Sequence, residues 1–513
     1  MRTTVFYISL LAAGLSMTAC EDFLTEDNPN AIPVTSYFAT ENDVERAVNG
    51  AYQALRSDYC LGEGCTAYTE ERSDNTGRLD NQSAAGEPFQ FTDFSLLPSN
   101  TYLKSHWNAL FKAVNNSNFA IYGAESVEFA NESNRVNAIA EARFVRALAY
   151  FEIVRKWGDA PLIDSYLSTP AEITEHTVRR PQAEIYNLIV EDLRYGLEQS
   201  SLPALSPEGS KGHANKASMA ALLGKVYLTM AHVLDESQKS TSLSQAEKYL
   251  RQCYEMRSFG SLSEITYDDD PKTGLYAVAN KSTCPEILFQ IVYIQGDKDY
   301  HASVARDNQS KGITINSLYP STGMGTFVNP DLINEYEEGD LRRAYSVVYA
   351  ESYSSWNITK FRDVSEAAGT LGYGGNDWII LRYADVLLML AEVYEEMGQA
   401  DQAIPFLNEV RARAGLPDYA TSLRNSAYAS LCPTLKLAIL HERRVELAFE
   451  NQRWYDLLRF FSPSELVTYM HKKKSENYGI SNLQNFSEKD IYYPIPYDEW
   501  KLDPEGMYQN PGY

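Results

Sequence analysis

The stretch that decides the fold covers residues 387–410 and reads LLMLAEVYEEMGQADQAIPFLNEV. Its first half places Leu390 and Tyr394 on one apolar helix face, and Gly398 then ends that helix. Its second half repeats the three- and four-residue spacing with Ala403, Leu407 and a valine at position 410. A small alanine at position 391 lets the two helices approach closely. The spacing therefore predicts a helix pair of the tetratricopeptide kind.

A second copy of this pattern lies earlier in the chain. Leu223 and Tyr227 open it, and Ala246 and Leu250 continue it after a longer turn. Weaker copies begin at residue 147 and near residue 52. Because a single helical hairpin cannot bury its apolar face alone, repeated hairpins stack and share a continuous core. The exposed surface of such a stack usually holds a partner.

These patterns predict a mainly α protein, with a tetratricopeptide-like helical repeat scaffold and a loop-rich second region that contains a few short strands. The scaffold is expected mainly over residues 41–58, 105–257 and 378–462 of a body that covers 41–513. The loop-rich, ligand-binding region is expected mainly over 59–104, 259–377 and 463–513, with strand-like runs at 287–294 and 313–318. Long connections of this kind are uncommon in compact domains and are usually functional.

The composition excludes some classes of partner. The formal charge is −24, so the chain lacks the basic face that nucleic acids require. Tyrosine is unusually frequent, with 36 Tyr against 20 Phe. Many rings therefore carry a hydroxyl group, which suits a hydrated binding surface.

The N-terminal segment is expected to direct export. Residues 1–19 combine Arg2 with an apolar run too short to span a bilayer, which is typical of a signal peptide. Cys20 directly after Ala19 resembles a bacterial lipobox, in which the cysteine is lipidated and becomes the mature N terminus. Residues 20–40 are then a lipidated tether. The acids after Cys20 resemble the surface-export signal of lipoproteins in Gram-negative bacteria that harvest glycans, and a plain spacer is the alternative.

Motifs for catalysis and metal binding are mostly incomplete. His441 and Glu442 lack the second histidine of a metalloprotease helix, because Val445 occupies its place. Cys60 and Cys65 flank a flexible loop, so the sequence allows a local disulfide between them without requiring it. Their spacing predicts no zinc site. Three acids at positions 268–270 suit either calcium or, more simply, a solvated turn. The sequence does not decide whether two carboxylates lie at the separation that glycoside hydrolysis needs, because that separation depends on the fold.

Four blocks of sequence carry a resemblance to a known family. The first two are EARFVRALAYF at 141–151 with KWGDAPL at 156–162, and ILRYADVLL at 380–388 with NEVRARAG at 408–415. The others are HERRVELAFE at 441–450 with RWYDL at 453–457, and PIP at 494–496 with QNPGY at 509–513. With the lipobox they resemble the SusD/RagB family of nutrient-binding lipoproteins. The blocks look structural, and their charged residues Arg443, Arg444, Glu446, Glu450 and Arg453 sit at helical ion-pair spacings expected to tie the scaffold together.

The resemblance implies a fold and a function. The fold would be four tetratricopeptide-like pairs that cradle the loop-rich region. The function would be to bind an oligosaccharide or polysaccharide at the cell surface and deliver it to a SusC-like TonB-dependent outer-membrane transporter. The resemblance implies no catalysis, cofactor or metal, and a membrane attachment by the lipid anchor only. Two alternatives remain: a peptide-binding lipoprotein of the same architecture, and a surface glycosidase.

Sugars present apolar CH faces and hydroxyl edges, so their sites favour flat aromatic rings beside polar side chains. The long loops supply both. The candidate ligand-binding residues are Trp356, Tyr68, Asp74, Asn75, Phe89, Phe91, Tyr102, Tyr276, Tyr300, Tyr319 and Tyr373, with Tyr267 as a further ring of the same loops. Trp356 is the favoured platform because its neighbours Ser355 and Asn357 are small and polar. The alternative for Trp356 is packing against a short strand at 358–361.

Overall fold

A computed structural model describes residues 37–78, 86–207, 209, 211–321, 326–473 and 483–513. The expected signal peptide, Cys20 and residues 20–36 of the expected tether lie outside the described residues. Within the described part, no helix combines the length and the apolar character needed to cross a membrane.

Helices make up most of the described chain. The longer ones are α1 (Glu41–Leu55), α2 (Thr101–Ser126), α3 (Glu132–Trp157), α4 (Gln182–Gln199), α5 (Lys216–Val233), α6 (Lys239–Glu255), α7 (Tyr383–Glu396), α8 (Ala400–Arg413), α9 (Leu435–Glu446), α10 (Arg453–Phe460) and α11 (Pro463–Lys472). Short α-helices cover Phe89–Thr92, Pro170–His176, Val304–Asp307, Pro330–Glu335, Leu341–Ser346, Glu366–Leu371, Tyr419–Ser422, Ser426–Leu431 and Tyr497–Trp500. Turns of 3₁₀ helix cover Glu63–Tyr68, Glu70–Arg72, Glu236–Gln238, Leu262–Glu264, Val278–Asn280, Glu351–Tyr353, Leu483–Asn485 and Glu488–Ile491.

The first eight long helices form four consecutive pairs: α1 with α2, α3 with α4, α5 with α6, and α7 with α8. Each pair packs on the next through α2 and α3, α4 and α5, and α6 and α7. Gly224 shows why the repeat needs small residues, because a Cβ there would lie 2.6 Å from Cγ of Leu250 on the paired helix. The predicted tetratricopeptide-like fold is confirmed. The residue ranges assigned to scaffold and binding region stay a prediction.

The strands form two-stranded antiparallel units in the loop-rich part. β1 (Thr76–Arg78) pairs with β5 (Thr326–Val328), β2 (Ala160–Pro161) with β3 (Arg179–Arg180), β4 (Ile287–Ile291) with β8 (Trp378–Arg382), and β6 (Val347–Ala350) with β7 (Ser355–Ile358). The strand expected at 287–294 is present as β4. The prediction of a strand at 313–318 is wrong. The backbone amides of Asn316 and Ser317 donate hydrogen bonds to Oε1 of Gln309, at 3.0 and 3.2 Å, instead of to a partner strand.

A buried network of ion pairs joins the last helices to the rest of the molecule. Arg382 of β8 pairs with Glu286 at 2.9 Å, with Glu446 at 2.8 Å and with Glu450 at 2.7 Å. Arg413 pairs with Glu446 at 2.6 Å. Removing one partner of such a buried pair is strongly destabilising, because the other charge then stays buried alone.

The charged residues of the third sequence block belong to this network, but not as neighbours one helical turn apart. Their partners come from other elements. The arginines pair with acids: Arg443 with Asp385 and Asp456, Arg444 with Asp331 and Glu335, and Arg453 with Asp74. The glutamates pair with basic side chains: Glu446 with Arg342, Arg382 and Arg413, and Glu450 with Lys360 and Arg382. They therefore tie distant segments together.

The cysteines of the described chain are all free thiols in buried positions: Cys60, Cys65, Cys253, Cys284 and Cys432. Sγ of Cys65 accepts a hydrogen bond from Nδ2 of Asn451 at 3.0 Å. The disulfide that the sequence left open between Cys60 and Cys65 is therefore not formed.

Candidate functional site

The prediction of a ligand-binding role is wrong for three residues, because the first long loop folds into the core. Tyr68, Phe91 and Asp74 are buried. The ring of Tyr68 stacks on His106 with centroids 4.0 Å apart, and Phe91 meets Tyr68 edge-on at 5.2 Å. Asp74 is ion-paired with Arg453 at 2.7 Å. None of these side chains can face a ligand at the surface.

Asn75, Tyr276 and Tyr267 require the same correction. Nδ2 of Asn75 donates to buried Glu70 at 3.0 Å. The hydroxyl groups of the two tyrosines donate to the carboxylates of the ion-pair network, and the bonds are Tyr267 to Glu446 at 2.6 Å and Tyr276 to Glu450 at 2.8 Å. All three residues complete internal hydrogen bonds, so they hold the frame together.

Phe89 and Tyr102 are half-buried. Phe89 opens the short helix Phe89–Thr92, and Tyr102 lies in the first turn of α2. The ring of Tyr102 meets the exposed ring of Tyr59 edge-on, with centroids 6.1 Å apart. A ligand role for Phe89 and Tyr102 stays a prediction.

The remaining tyrosines come together on the segments 294–321 and 366–375. Tyr300 is 38% exposed and Tyr319 is 37% exposed. Tyr373 is half-buried and stacks on His301, with ring centroids 4.2 Å apart and an interplanar angle of 29°. The two segments are joined where the amides of Ala302 and Gly374 bond to each other's carbonyl oxygens at 2.8 and 2.9 Å. Rings from separate loops are thereby held at one place.

Exposed aliphatic side chains extend this group of rings. A Cβ at Gly369 would meet Leu318, so the short helix Glu366–Leu371 packs directly on that side chain. We call the group the ring patch, and its members are Tyr300, His301, Tyr319, Tyr373, Ile294, Leu318, Val364 and Leu371. Exposed apolar side chains grouped on neighbouring loops in this way are typical of an interaction site.

The half-buried carboxylate of Glu63 holds the ring patch to the segment that follows the first scaffold helix. Glu63 accepts hydrogen bonds from the backbone amides of Ser303 at 2.5 Å and Val304 at 2.8 Å. Burial raises the pKa of Glu63 to about 8, against the effect of these two amides. Arg56, just beyond α1, places its guanidinium 4.8 Å from the ring centroid of Tyr300. Glu63 and Arg56 therefore position the loop that carries Tyr300 and His301.

A groove of about 690 Å³ adjoins the ring patch at Ile294 and Val364. Polar groups line it, and the Lys281–Asp377 ion pair, with Nζ and Oδ1 2.7 Å apart, lies in its wall. Asp363 also lines the groove and accepts from Nε2 of Gln295 at 2.6 Å. The arrangement offers an apolar face next to fixed donors and acceptors, which is typical of small-molecule sites.

Trp356 lies on a separate feature, the hairpin of β6 and β7. It is half-buried and pairs across the strands with Tyr349, their ring centroids 5.3 Å apart in an edge-on arrangement. Arg343 lies 5.8 Å from the Trp356 ring centroid. The tryptophan is therefore partly packed and partly open. Its role as the platform stays a prediction.

Sequence reasoning missed His301, Tyr349 and Glu63. His301 directly follows Tyr300, and Tyr349 stands on a short strand among small and aliphatic residues, so both carried a weak local signal. Glu63 carried none, because its partners lie 240 residues away in the chain.

Metal-ligating side chains gather at two places in the described chain. One is His232 with Glu392 and Glu396, and the other is Glu337 with His441 and Glu442. Basic side chains already pair with these carboxylates: Arg459 donates to both oxygens of Glu392 at 2.8 and 3.0 Å, Arg411 pairs with Glu337 and Glu442, and Lys239 pairs with Glu396 at 3.1 Å. The three acids at 268–270 form a turn, in which Oδ1 of Asp270 accepts from the amides of residues 272 and 273. The geometry supports ion pairing and turn formation at these positions.

Comparison with known proteins agrees with the fold. A model described as the SusD family matches residues 341–513, and one described as "Starch-binding associating with outer membrane" matches residues 22–228. SusD-like protein P2 of Formosa agariphila is 27% identical over 540 aligned positions, with 99% of each chain covered. SusD-like protein P25 of the same organism is 24% identical, with 98% of this chain and 97% of the relative covered.

Solved structures show the same architecture. Surface glycan-binding protein A from Bacteroides thetaiotaomicron in complex with laminarihexaose gives a TM-score of 0.73 at 18% identity, covering 92% of this chain and 99% of that one. A laminarin-binding SusD-like protein gives a TM-score of 0.72 at 24% identity, covering 93% of this chain and 100% of that one. With the paired helices and the matched segments at both ends, these likenesses lead to one conclusion: the chain belongs to the SusD/RagB family.

Proposed function

We propose that this protein binds an oligosaccharide or polysaccharide at the cell surface and delivers it to a TonB-dependent outer-membrane transporter without cleaving it. The ring patch carries the proposal. Backbone pairing between two loops holds the half-buried stack of Tyr373 and His301 in place, and Tyr300 and Tyr319 are exposed. Such an arrangement suits a ligand that is gripped and released.

The chemistry of the patch suits a sugar. Tyr300 and Tyr319 can lie against the CH face of a pyranose ring, and their hydroxyl groups can bond the sugar hydroxyls. Gln295 and Asp363 add polar groups in the adjoining groove. Stacking of an aromatic ring on a planar base contributes about 1–3 kcal/mol, and we use that scale for each ring. Relatives of the same fold support this reading, because their names describe laminarin and glycan binding.

The location and the partner belong to the same proposal. Lipidation of Cys20 would hold the protein on the outer membrane, and the family model matched by residues 22–228 describes association with that membrane. Acyl chains contribute about 0.8 kcal/mol for each buried CH₂ group, so an anchor with two or more chains is stable. A SusC-like transporter would then receive the glycan. Co-purification of the lipidated chain with such a transporter from outer membranes tests this partner.

One observation favours a second ligand class, an extended peptide. Leu318, Val364 and Leu371 add exposed aliphatic surface to the rings. That surface would suit apolar side chains of a peptide better than the hydroxyl-rich edge of a sugar.

Calorimetry with a soluble chain that begins at residue 21 separates the two classes, using oligosaccharides and peptides side by side. We expect binding to at least one oligosaccharide. Replacing both rings, Tyr300→Ala with Tyr373→Ala, should weaken it by about tenfold or more, since about 1.4 kcal/mol is a tenfold change. Tyr497→Ala is the matched control, because Tyr497 is a similarly open ring on the short helix Tyr497–Trp500. Binding to peptides alone, or release of reducing sugar from any glycan, would contradict the proposal.

A further inference from the structure

We infer that the binding site continues from the ring patch into a second groove along α1, and so takes a stretch of several sugars from a linear glycan; the inference rests on the proposed function. This second groove, which we call the α1 groove, has a volume of about 410 Å³. Asn49, Gln53 and Arg56 line it from the side of α1, together with His213 and Tyr300. Tyr300 therefore belongs both to the ring patch and to the α1 groove.

The α1 groove is continuous with the groove of about 690 Å³ that adjoins the ring patch. Four residues line both grooves: Gly209, Gln290, Val292 and Ile294. The last three are alternate residues of the segment that continues β4, and alternate side chains of an extended chain share one face. The amide of Ile294 donates to the carbonyl oxygen of Tyr300 at 2.7 Å and holds the ring-bearing loop against this segment. A ligand chain can therefore pass from one groove to the other beside Tyr300.

Gln290 leaves an unpaired acceptor where the two grooves meet. The residue is 1% exposed, and its Nε2 donates to the carbonyl oxygen of Lys281 at 2.9 Å and to Asp377 at 2.7 Å. These two bonds fix the orientation of the amide, and Oε1 finds no donor in the part of the chain that the structure describes. Buried acceptors without a partner are uncommon, and an ordered water or a sugar hydroxyl would satisfy this one.

The α1 side of the groove presents polar groups that the protein itself does not use. Asn49 and Gln53 are exposed and lie four residues apart on one helix face. Arg56 follows three residues later and donates through Nε to the carbonyl oxygen of Val292 at 3.1 Å. Among the described residues, the two amide side chains and the Nη atoms of Arg56 have no hydrogen-bond partner. At about 1.5 Å of rise per residue these side chains form a row about 10 Å long, which can bond the hydroxyls of successive sugars.

The size of the grooves sets the length of the ligand. A pocket of about 300–1,000 Å³ holds one small molecule, and each groove alone falls within that range. Only a longer chain can therefore contact the ring patch and the α1 side together. Val364 in the first groove is 56% exposed, and the side chain of His213 in the α1 groove is 49% exposed. Neither residue lies in the shared part, so the chain can continue into solvent beyond both.

The test measures affinity against chain length by calorimetry, with the soluble chain that begins at residue 21. The probes are linear oligosaccharides of β-1,3-glucan, xylan and starch, from disaccharide to octasaccharide. In the series that binds, we expect the hexasaccharide to bind about tenfold or more tightly than the shortest member that binds, because the added sugars reach the α1 side.

Asn49→Ala with Gln53→Ala should weaken binding of the hexasaccharide by about tenfold and leave the shortest member unchanged. Alanine favours helix more than either residue, so α1 is retained, and circular dichroism checks it. Asn42→Ala is the matched control, because Asn42 is the same exposed residue type on the same face of α1, two turns earlier, and does not line the groove.

Two results would count against the inference, and they differ. Equal affinity along the whole series, or an equal effect of the α1 variant and its Asn42 control on the hexasaccharide, confines the glycan to the ring patch and overturns the longer site while keeping glycan binding. No binding of any series by the folded chain overturns the proposed function itself.

Discussion

Arg453 donates through Nε and Nη2 to both carboxylate oxygens of Asp74, at 2.7 and 2.9 Å, and so joins α10 to a turn 379 positions earlier in the chain. Burial opposes the charge of Asp74, but Arg444 and Arg453 outweigh it and hold the pKa of this carboxyl well below its ordinary value. A hydroxyl hydrogen bond from Tyr469 at 2.6 Å completes the site.

Asp74→Ala should therefore lower the free energy of unfolding by about 3–5 kcal/mol, because Arg453 would stay buried without its counter-ion, whereas Arg444 keeps Asp331 and Glu335. Urea denaturation measures the change. Asp401→Ala serves as the control, since Asp401 is exposed in the first turn of α8 and its removal should cost about 1 kcal/mol or less. Equal stability of the two variants would show that the buried pair contributes no more than a surface acid.

Trp356→Ala should weaken oligosaccharide binding by about 1–3 kcal/mol if the β6–β7 hairpin adds a second platform to the ring patch. Tyr349→Ala is the companion variant, because Tyr349 is the cross-strand partner of Trp356 and is 39% exposed. Calorimetry gives both affinities. Unchanged affinity in both variants, with normal stability, rejects the hairpin as a contact surface.

Glu63→Ala should weaken ligand binding with little loss of helical structure, because it removes the acceptor that fixes Ser303 and Val304 below Tyr300 and His301. Hydrogen exchange of the amides at 303 and 304 should speed up, and Glu63→Gln should restore part of the protection through its remaining carbonyl oxygen. The result that contradicts this role is unchanged exchange at both amides in Glu63→Ala.

His441 gives a pH dependence that can be measured. Burial opposes its charge, but hydrogen bonds to Glu335 and Glu337 raise the pKa of His441 from 6.5 to about 9. A raised folded-state pKa means that the charged ring stabilises the fold fully below about pH 6.5, and that this contribution disappears as the pH rises through about 9.

The free energy of unfolding should therefore fall between pH 7 and about 9.5, more steeply in the native chain than in His441→Gln. Chemical denaturation across that range tests it, and the difference between the two proteins isolates the histidine from other titrating groups. Parallel curves would show that the ion pairs of His441 do not form in the folded state.

The sequence predicts the frame better than the site, and the reason is the range of the contacts. Tyr394 and Leu250 face their helix partners because neighbours three and four residues away set a helix face. Tyr68 and Tyr300 both lie in loops rich in small polar residues, yet Tyr68 stacks on His106 in the core while Tyr300 stays exposed. That difference depends on which distant segment covers each loop, and no local pattern encodes it. The same holds for Asp74, whose partner lies on α10.

The burial of the five thiols gives the soluble chain a practical property. Burial raises the pKa of Cys65 and of Cys432 to about 12 and that of Cys284 to about 11, so these thiols stay protonated and unreactive near neutral pH. One cysteine introduced at the rim of the ring patch, in a version that starts after Cys20, would then react selectively with a maleimide dye. A fluorophore placed there would report occupancy of the loops directly, without a cysteine-free background.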